Sequence, residues 1–446
     1  MKVRIEDWNG DGRGRGTLGS KTVLVSQAHP GEEVSVRLDR KTRGTLQGRV
    51  LRLIAADPTR IPHSCRHEFR CTGCPFLAAD DHDEADFKVA KVTHALRQAG
   101  APEEALQPLQ VPAGPFGYRH LAKQATGLFR GKVMLGSYVA GTHEVANNAG
   151  CPVLVPELAT VLEQVRQLLI ESKVRIWRPA GASGEGGSDG LRHVVARQSR
   201  ATGEQLLVLV TSTKEGAVQR KLCDVLVQDL PTVAGAHLLL NEDPGNTLRL
   251  GESLHVSGLV SIEENLGGFR HLLGPRSTFR INPLAAEVLV QEILEAAGEG
   301  KVCLEPFSGE GALTLPLTRG FERVLAAEKS PDAVDRLRKS AQGADLLDRI
   351  PCYVGRAEAL LPTWLEEENP DCAVLAPPKK GLGPVLLGAL GTSRLSRIVL
   401  LSSDPLALAH DLPPLLASGF QLSRVTPIDS LPRTAHVDTV SLLTRE

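Results

Sequence analysis

Apolar and polar positions alternate with a period of two along the first 55 residues. Runs such as KTVLVSQA and EEVSVRL show this alternation, and the stretches NGDGRGRG and HPGE interrupt it. Period-two alternation predicts strands that present one face to a core, and the interruptions predict turns. Several short strands in so small a segment predict a β-barrel of the OB type over residues 1–55.

A mixed pattern follows over residues 56–285. Apolar residues recur at helical spacing in DEADFKVAKVTHALRQAG, a run that Gly100 ends, and again in VPELATVLEQVRQLLIES. Both runs predict helices, and apolar strands lie around them. The composition of residues 181–190, GASGEGGSDG, predicts a flexible loop. This region is therefore predicted to be an α+β domain.

From residue 286 to 446 the pattern changes to helices that alternate with short apolar strands. Helical runs such as AEVLVQEILEAAG and PDAVDRLRKSAQ separate strands such as KVCLEPF, RVLAAEK, DCAVLAP and RIVLLSS. Such alternation predicts a parallel, doubly wound sheet of the Rossmann-like kind. The predicted fold class is thus multi-domain α/β, with a small barrel, a central α+β domain and a Rossmann-like domain.

Composition narrows the class of protein further. The chain has 446 residues, 42% of them apolar and 23% charged, which is ordinary for a soluble protein. Its apolar runs are too short for a membrane span, and the N-terminus lacks the apolar core of a signal peptide. We therefore expect a cytoplasmic location and no membrane partner. In such a reducing compartment, the eight cysteines are not expected to form a disulfide framework.

Charge gives one local signal. The net charge is −1, but residues 1–60 carry twelve Lys and Arg against seven Asp and Glu. A basic module on a neutral chain indicates phosphate binding, although a solvated positive face has the same composition.

A glycine-rich turn follows the strand KVCLE in the Rossmann-like region. Gly309 and Gly311 allow a tight turn that approaches a ligand closely, and Glu328 ends the next strand, where an acid can hold a ribose diol. Thr314 stands where the third glycine of a dinucleotide fingerprint would lie, which favours an adenosyl cofactor over NAD. An ordinary strand-to-helix turn is the alternative interpretation.

Three cysteines, Cys65, Cys71 and Cys74, lie within ten residues in SCRHEFRCTGCPF. Cysteine thiolates at such spacing suit an iron–sulfur cluster or zinc, which takes four ligands. The chain has a further isolated cysteine, Cys151. The others lie in apolar stretches and are predicted to pack in cores: Cys223, Cys303, Cys352 and Cys372.

These motifs occur together in one order. Cys65-x5-Cys71-x2-Cys74 is followed by NNAGCPVLVPEL, FRINPLAAEVL, EPFSGEGALTL, APPKKGL, LSSDP and PRTAHVDTV. This order resembles the RNA uracil-C5 methyltransferases that use S-adenosylmethionine, especially the bacterial 23S rRNA branch with an iron–sulfur cluster. The resemblance covers nearly the whole chain, and the N-terminal segment resembles the TRAM domain, an RNA-binding module. It implies RNA, above all 23S rRNA, as partner; we expect a monomer.

The resemblance also implies site residues. It implies a [4Fe–4S] cluster bound by Cys65, Cys71, Cys74 and Cys151; zinc, the alternative, more often uses a second close cysteine pair, which is missing here. It implies an S-adenosylmethionine site at these positions: Arg280, Asn282, Glu305, Gly309, Gly311, Glu328 and Ala376.

Several positions depart from the family's pattern. The family's nucleophilic cysteine, which adds to C6 of uracil, is Ser403, and the glutamate that removes the C5 proton is Asp438. Four further positions carry Arg280 for glutamine, Ala376 for aspartate, Lys379 for arginine and Arg356 for an acid or amide. A hydroxyl is a much weaker nucleophile than a thiol unless a base activates it. Three hypotheses follow: an active methyltransferase, a non-catalytic RNA-binding paralogue in rRNA processing or ribosome assembly, and a more cationic pocket for an anionic ligand.

Overall fold

A computed structural model describes residues 1–42, 44–139, 142–179 and 187–446. The predicted loop at 181–190 falls for its larger part outside the described residues. The strands are β1 (Lys2–Trp8), β2 (Gly14–Leu18), β3 (Lys21–Ser26), β4 (Glu33–Thr42), β5 (Thr45–Ala55), β6 (Leu121–Phe129), β7 (Lys132–Tyr138), β8 (Val145–Asn147), β9 (Leu191–Gln198), β10 (Gln205–Thr211), β11 (Val233–Leu240), β12 (Ser253–Gly258), β13 (Ile262–Leu266), β14 (Phe269–Leu273), β15 (Gly300–Glu305), β16 (Phe321–Glu328), β17 (Cys352–Val354), β18 (Cys372–Leu375), β19 (Arg397–Ser402), β20 (Gln421–Ile428) and β21 (Asp438–Thr444). The helices are α1 (Asp81–Ala99), α2 (Pro156–Glu171), α3 (Ala217–Asp229), α4 (Pro283–Ala297), α5 (Thr314–Leu317), α6 (Pro331–Gly343), α7 (Ala357–Glu367), α8 (Pro384–Thr392) and α9 (Pro405–Ala417), with short 3-10 helices at Glu103–Ala105 and Leu347–Arg349.

The N-terminal strands form a closed barrel in the order β1-β2-β3-β5-β4. Its core is built by residues two apart, as the alternation predicted: Val3 and Ile5 of β1 are at most 2% exposed. The glycine-rich stretch NGDGRGRG is only partly a break, because Gly14 and Gly16 belong to β2. A Cβ on Gly16 would lie 2.2 Å from the Arg4 carbonyl oxygen, so close approach of the strands requires glycine there.

The central sheet has seven strands in the order β12-β11-β10-β9-β6-β7-β8. Every residue of β9 and β10 is buried. On one face the sheet packs against α2 and α3, whose Val165 and Leu226 are fully buried in the same apolar cluster. Two covered faces explain why β10 is apolar from Leu206 to Val210 rather than alternating, whereas β9 also buries polar residues such as Arg192 and Arg197.

The C-terminal sheet has the order β17-β16-β15-β18-β19-β21-β20, with β21 antiparallel to both of its neighbours. The other strands are parallel, and apolar clusters cover both faces. The predicted doubly wound, Rossmann-like sheet and the predicted fold class are therefore confirmed. Among the described residues, no helix combines the length and apolar character that crossing a bilayer requires.

Helix α1 belongs in part to the core of the C-terminal sheet. Its Val92 and Leu96 are fully buried in the cluster that also contains residues of α9. The segment after α1 continues along the edge of that sheet: the Gln107 and Gln110 backbone N–H groups donate to β20 carbonyls at 2.8 and 2.9 Å. This covers an edge strand that would otherwise expose its polar backbone groups.

Candidate functional site

Several strand ends meet at one edge of the C-terminal sheet. Because β15, β16, β18 and β19 are parallel, their carboxyl ends lie along the same edge, where ligands bind in such sheets. Strand β21 is antiparallel to β19, with Ser402 opposite Thr439, so β21 begins at that edge. The edge therefore carries most of the predicted site residues: Glu305, Gly309, Gly311, Glu328, Ala376, Ser403 and Asp438.

The glycine turn after β15 uses its two glycines differently. Both have left-handed backbone conformations, with φ of 53° at Gly309 and 90° at Gly311. A Cβ on Gly311 would lie 2.4 Å from Leu337 Cδ1, whereas a Cβ on Gly309 would meet no atom of the described residues within 4 Å. Gly311 is thus required by packing on α6, and Gly309 leaves open space at the sheet edge.

A salt bridge holds this turn in place. Arg336 Nη2 of α6 lies 3.2 Å from Glu310 Oε1 inside the turn, and Ser308 donates through both its N–H and its hydroxyl to the Ala327 carbonyl oxygen of β16. The helix that follows the turn is short: α5 has only four residues, Thr314–Leu317. Fixing the turn falls to Glu310 and Ser308 instead.

The two acids of the predicted cofactor site have different environments. Glu305 is 1% exposed and accepts a hydrogen bond from the Thr314 hydroxyl. Burial raises the pKa of Glu305 to about 8, so it is a neutral carboxylic acid at pH 7. Glu328 remains partly exposed, and its Oε1 accepts a hydrogen bond from the Ser330 N–H at 2.9 Å. Of the two, Glu328 is the accessible carboxylate.

Arg280 and Asp438 form an ion pair across the site. Arg280 Nη1 donates to Asp438 Oδ2 at 3.0 Å, and His436 Nε2 lies 3.3 Å from Oδ1. The Asp438 side chain is 0% exposed. Although burial opposes it, the Arg280 charge, followed by the His436 contact, holds the pKa of Asp438 well below its usual range. Asp438 is thus a fixed, ionised carboxylate.

Ser403 follows β19 directly and is half-buried. Its neighbours are engaged in the start of α9: Ser402 Oγ donates to the Asp404 carbonyl oxygen at 2.9 Å, and the Asp404 carboxylate caps the helix through the Leu406 N–H at 3.1 Å. Within the described part of the chain, no side chain accepts a hydrogen bond from the Ser403 hydroxyl. No base for activating Ser403 is therefore in hydrogen-bonding contact with it.

Asn282 and Ala376, two positions of the predicted cofactor site, make contacts within the fold itself. Asn282 caps α4 by accepting from the Ala285 N–H at 3.3 Å, and its amide donates to the Ser430 carbonyl oxygen at 3.0 Å. It is 2% exposed. Ala376 is half-buried just after β18 and packs against a core cluster of the sheet. Asn282 therefore fixes the loop before β21 rather than presenting free polar atoms.

The predicted excess of positive charge is largely offset. The Arg280 charge faces Asp438, and the Arg356 side chain is 74% exposed with its Nε 3.5 Å from Glu358 Oε2. Lys379 is exposed. The structure therefore offers little support for a cationic pocket that selects an anionic ligand.

The four predicted cysteine ligands line one cavity, although they come from two segments of the chain. Gln27, His67 and Asn148 also line it. Burial, then the neighbouring thiols of Cys151 and Cys71, raises the pKa of Cys74 to about 12. Among the described residues, no three His, Cys, Asp or Glu side chains converge closely enough to hold a single metal ion. The thiols surround a shared apolar space, so zinc finds no preformed tetrahedral set.

A buried ionic network was not predicted from the sequence. Lys88 of α1 is fully buried, with its Nζ 2.5 Å from Glu84 Oε1 and 2.7 Å from Asp429 Oδ1. Arg433, also buried, donates from Nη1 to Glu84 Oε2 at 3.3 Å and from Nη2 to Asp81 Oδ1 at 2.6 Å. The network ties α1 to the loop that leads into β21. The i, i+4 spacing of Glu84 and Lys88 is the only sequence signal for it.

The barrel, the doubly wound sheet and the glycine turn together define a multi-domain α/β protein with a Rossmann-like domain. Three relatives match nearly the whole chain, and each is described as an uncharacterized RNA methyltransferase. The Clostridium tetani protein is 27% identical over 97% of this chain and 94% of its own. The Thermosynechococcus vestitus protein is 28% identical over 100% of this chain and 98% of its own length. The Gloeobacter violaceus protein is 29% identical over 98% of this chain and 94% of its own length. No protein-family model matches.

A solved structure has the same fold. The Pyrococcus abyssi tRNA (uracil-54, C5)-methyltransferase, in complex with S-adenosyl-L-homocysteine, superimposes with a TM-score of 0.76, 22% identity and coverage of 100% of both chains. The predicted resemblance to RNA methyltransferases is therefore confirmed over the whole chain. The TRAM assignment, the cluster, the domain limits and the roles of individual residues remain predictions.

Proposed function

We propose that this chain is an S-adenosylmethionine-dependent RNA methyltransferase whose target is C5 of uracil. The observation that carries the proposal is the convergence, at one sheet edge, of the open turn at Gly309, the accessible acid Glu328 and the ends of β19 and β21. It is supported by full-length similarity to RNA methyltransferases. Glu328 would hold the ribose diol of the cofactor, and Gly309 would let its backbone approach the cofactor closely.

The RNA is proposed to be rRNA, above all 23S rRNA, bound by a monomer in the cytoplasm. Residues 1–55 would act as a TRAM module, residues 56–285 as the cluster-binding and RNA-binding region, and residues 286–446 as the methyltransferase domain. The surplus of basic residues in the first sixty supports phosphate contacts by the barrel.

The cavity lined by Cys65, Cys71, Cys74 and Cys151 is proposed to hold a [4Fe–4S] cluster. Four thiols around one apolar space fit such a cluster better than a single ion, because a four-iron cube keeps its ligands further apart. Bound by these four thiolates, such a cluster would cross-link two segments that are distant along the chain. The exposed Arg66 and Arg70 lie close enough in sequence to offset its negative charge.

Labelled S-adenosylmethionine and unmodified 23S rRNA provide the test. We expect 5-methyluridine in the RNA, identified by mass spectrometry, and binding of S-adenosylhomocysteine by calorimetry. Absence of methyl transfer under conditions in which an authentic relative is active would contradict the enzymatic proposal.

A second candidate, a non-catalytic RNA-binding paralogue, is favoured by two observations: no base among the described residues contacts the Ser403 hydroxyl, and Asp438 is paired with Arg280. Filter binding at increasing salt would then give rRNA affinity with a steep salt slope but no product. Replacing Arg37 and Arg52 of the barrel by Ala should reduce that slope, whereas replacing the exposed Lys339 of α6 should not. Equal slopes in all variants would argue against RNA binding by the barrel.

A further inference from the structure

Three side chains form a continuous array at the start of β21. Arg280 Nη1 contacts Asp438 Oδ2 at 3.0 Å, and His436 Nε2 lies 3.3 Å from Oδ1 of the same carboxylate. The exposed fractions of the three side chains are 31%, 0% and 18% in the order Arg280, Asp438 and His436. The carboxylate is thus enclosed between two groups that reach the surface of the site.

This enclosure makes Asp438 unsuited to accept a proton from a substrate. A side chain with no exposed surface cannot contact a nucleobase, and both carboxylate oxygens already face another group. The Arg280 charge also keeps the pKa of Asp438 well below its ordinary value, against the effect of burial, and so makes the carboxylate a weak base. The position that carries the base in the resembled family is therefore blocked here.

His436 has the properties that Asp438 lacks. His436 Nε2 lies 3.3 Å from Asp438 Oδ1, and in the tautomer that carries its proton on Nε2 the lone pair is on Nδ1. The backbone around it is fixed: the His436 N–H donates to Thr434 Oγ1 at 3.2 Å, and Lys91 Nζ of α1 donates to the Ala435 carbonyl oxygen at 3.0 Å. A carboxylate that orients an imidazole through one nitrogen leaves the other nitrogen free for proton transfer.

The location of His436 also fits a role beside Ser403. Ser402 is paired with Thr439 in the sheet, so the residues just before β21 lie next to the residues just after β19. The charged groups that face His436 are Asp438 and the buried Asp429, with Lys91 from α1 at the neighbouring carbonyl.

We propose that His436 is the catalytic residue that accepts the C5 proton of uracil, and that Asp438 is a positioning residue held by Arg280. The proposal rests on the proposed function. After C5 has gained its methyl group, the C5–H bond breaks and its electron pair forms the C5=C6 double bond. The bond between C6 and the attacking nucleophile breaks, the nucleophile leaves with that electron pair, and the proton goes to His436 Nδ1. A proton lost by Ser403 on addition is regained on elimination, so one proton is released overall.

The test follows the release of tritium from unmodified rRNA that contains [5-³H]uridine. We expect H436Q to lower kcat about 10²- to 10⁴-fold with KM within about threefold. H436G should recover part of the rate with added imidazole, and the ascending limb of the pH–rate profile should disappear in H436Q. H410Q, the same change on the exposed His410 of α9, should match the wild type, and thermal melts verify that each variant is folded.

The variants at the other two positions distinguish the candidate bases. If Asp438 were the base, R280Q would raise the rate and H436Q would lie within about threefold of the wild type, which would overturn the proposal. If His436 is the base, D438N lowers the rate less than H436Q, and R280Q does not rescue H436Q. Failure of the wild type itself to release tritium or transfer methyl groups would refute the proposed function, and the role of His436 with it, before any variant is compared.

Discussion

Ser403 stands at the end of β19, where the resembled family has its nucleophilic cysteine. A thiol is a few per cent ionised near neutral pH and is intrinsically nucleophilic, whereas a hydroxyl requires a base. No such base contacts Ser403 among the described residues. The replacement of a thiol by a hydroxyl at this position therefore weakens the covalent route through C6 of uracil.

We expect Ser403→Cys to increase methyl transfer and to form a covalent adduct with RNA containing 5-fluorouridine, seen as a slower band on a denaturing gel. Ser402→Cys is the matched control, because Ser402 is buried and its hydroxyl is bonded to the Asp404 carbonyl oxygen. An adduct in S402C but not in S403C would mean that Ser403 does not occupy the nucleophile position.

Glu305 gives a prediction on pH and stability. Its pKa rises from 4.5 in the unfolded chain to about 8 in the folded protein because burial disfavours the charged form. Its protonation therefore stabilises the fold fully below pH 4.5, and this contribution is lost as pH rises to 8. Relative to Glu305→Gln, the wild type should lose up to about 1.4 kcal/mol of unfolding free energy per pH unit in this window.

Chemical denaturation at several pH values measures this difference. Glu322→Gln, on an exposed position of β16, is the control and should follow the wild type at every pH. Parallel curves for the wild type and E305Q would mean that Glu305 is ionised in the folded protein at neutral pH.

At the scale of elements, the two glycines of the turn between β15 and α5 have different roles: packing requires Gly311, and Gly309 is proposed to lie against the cofactor. Gly311→Ala should destabilise the protein by about 1–3 kcal/mol, because the added Cβ meets Leu337 and the backbone is left-handed. Gly309→Ala should cost only about 1 kcal/mol, since no atom in the described part of the chain lies within 4 Å of its Cβ. Urea denaturation gives these values.

The effect of Gly309→Ala on the binding of S-adenosylhomocysteine should be larger than its effect on stability. We expect G309A to weaken this binding at least about tenfold in calorimetry, because the methyl group would occupy the open space above the turn. Unchanged affinity in G309A would place the cofactor elsewhere on the sheet edge.

At the scale of the whole molecule, the segment that carries Cys65, Cys71 and Cys74 contacts two separate parts of the chain. On the barrel side, the Phe69 N–H donates to Gln27 Oε1 at 2.7 Å. On the other side, the Phe76 N–H donates to the Arg433 carbonyl oxygen at 3.3 Å, and the Tyr118 hydroxyl donates to that of Pro432 at 2.9 Å. The segment therefore connects the barrel with the loop that carries His436.

Cys151→Ser should remove the proposed cluster, lowering iron from about four atoms per chain to near zero after anaerobic purification. Hydrogen exchange in the 429–437 loop should then become faster, because Leu431 packs in one cluster with Cys151 and Cys74. Exchange in β15 should not change. Cys352→Ser, a partly buried cysteine far along the chain, is the control for iron content. Iron retained in full in both C151S and Cys151→Ala would count against Cys151 as a ligand.

Local pattern alone determined the barrel, the helical runs, the doubly wound sheet and the glycine turn. Each of these depends on the spacing of neighbours along the chain: a period of two gave the core of β1, and Gly100 marked the end of α1. Where local rules failed, as at Gly14 and Gly16, close approach of another strand decided the outcome.

Only the tertiary structure decided which charges are free and which base can act. Arg280 and Asp438 are 158 residues apart, and Arg433 and Glu84 are 349 apart, so no spacing rule relates them. Ionisation and accessibility depend on the distance between groups in space, and a linear pattern does not encode that distance. The sequence therefore predicted which sheet edge carries the candidate site, and the folded chain decided that Asp438 is enclosed while His436 is partly exposed.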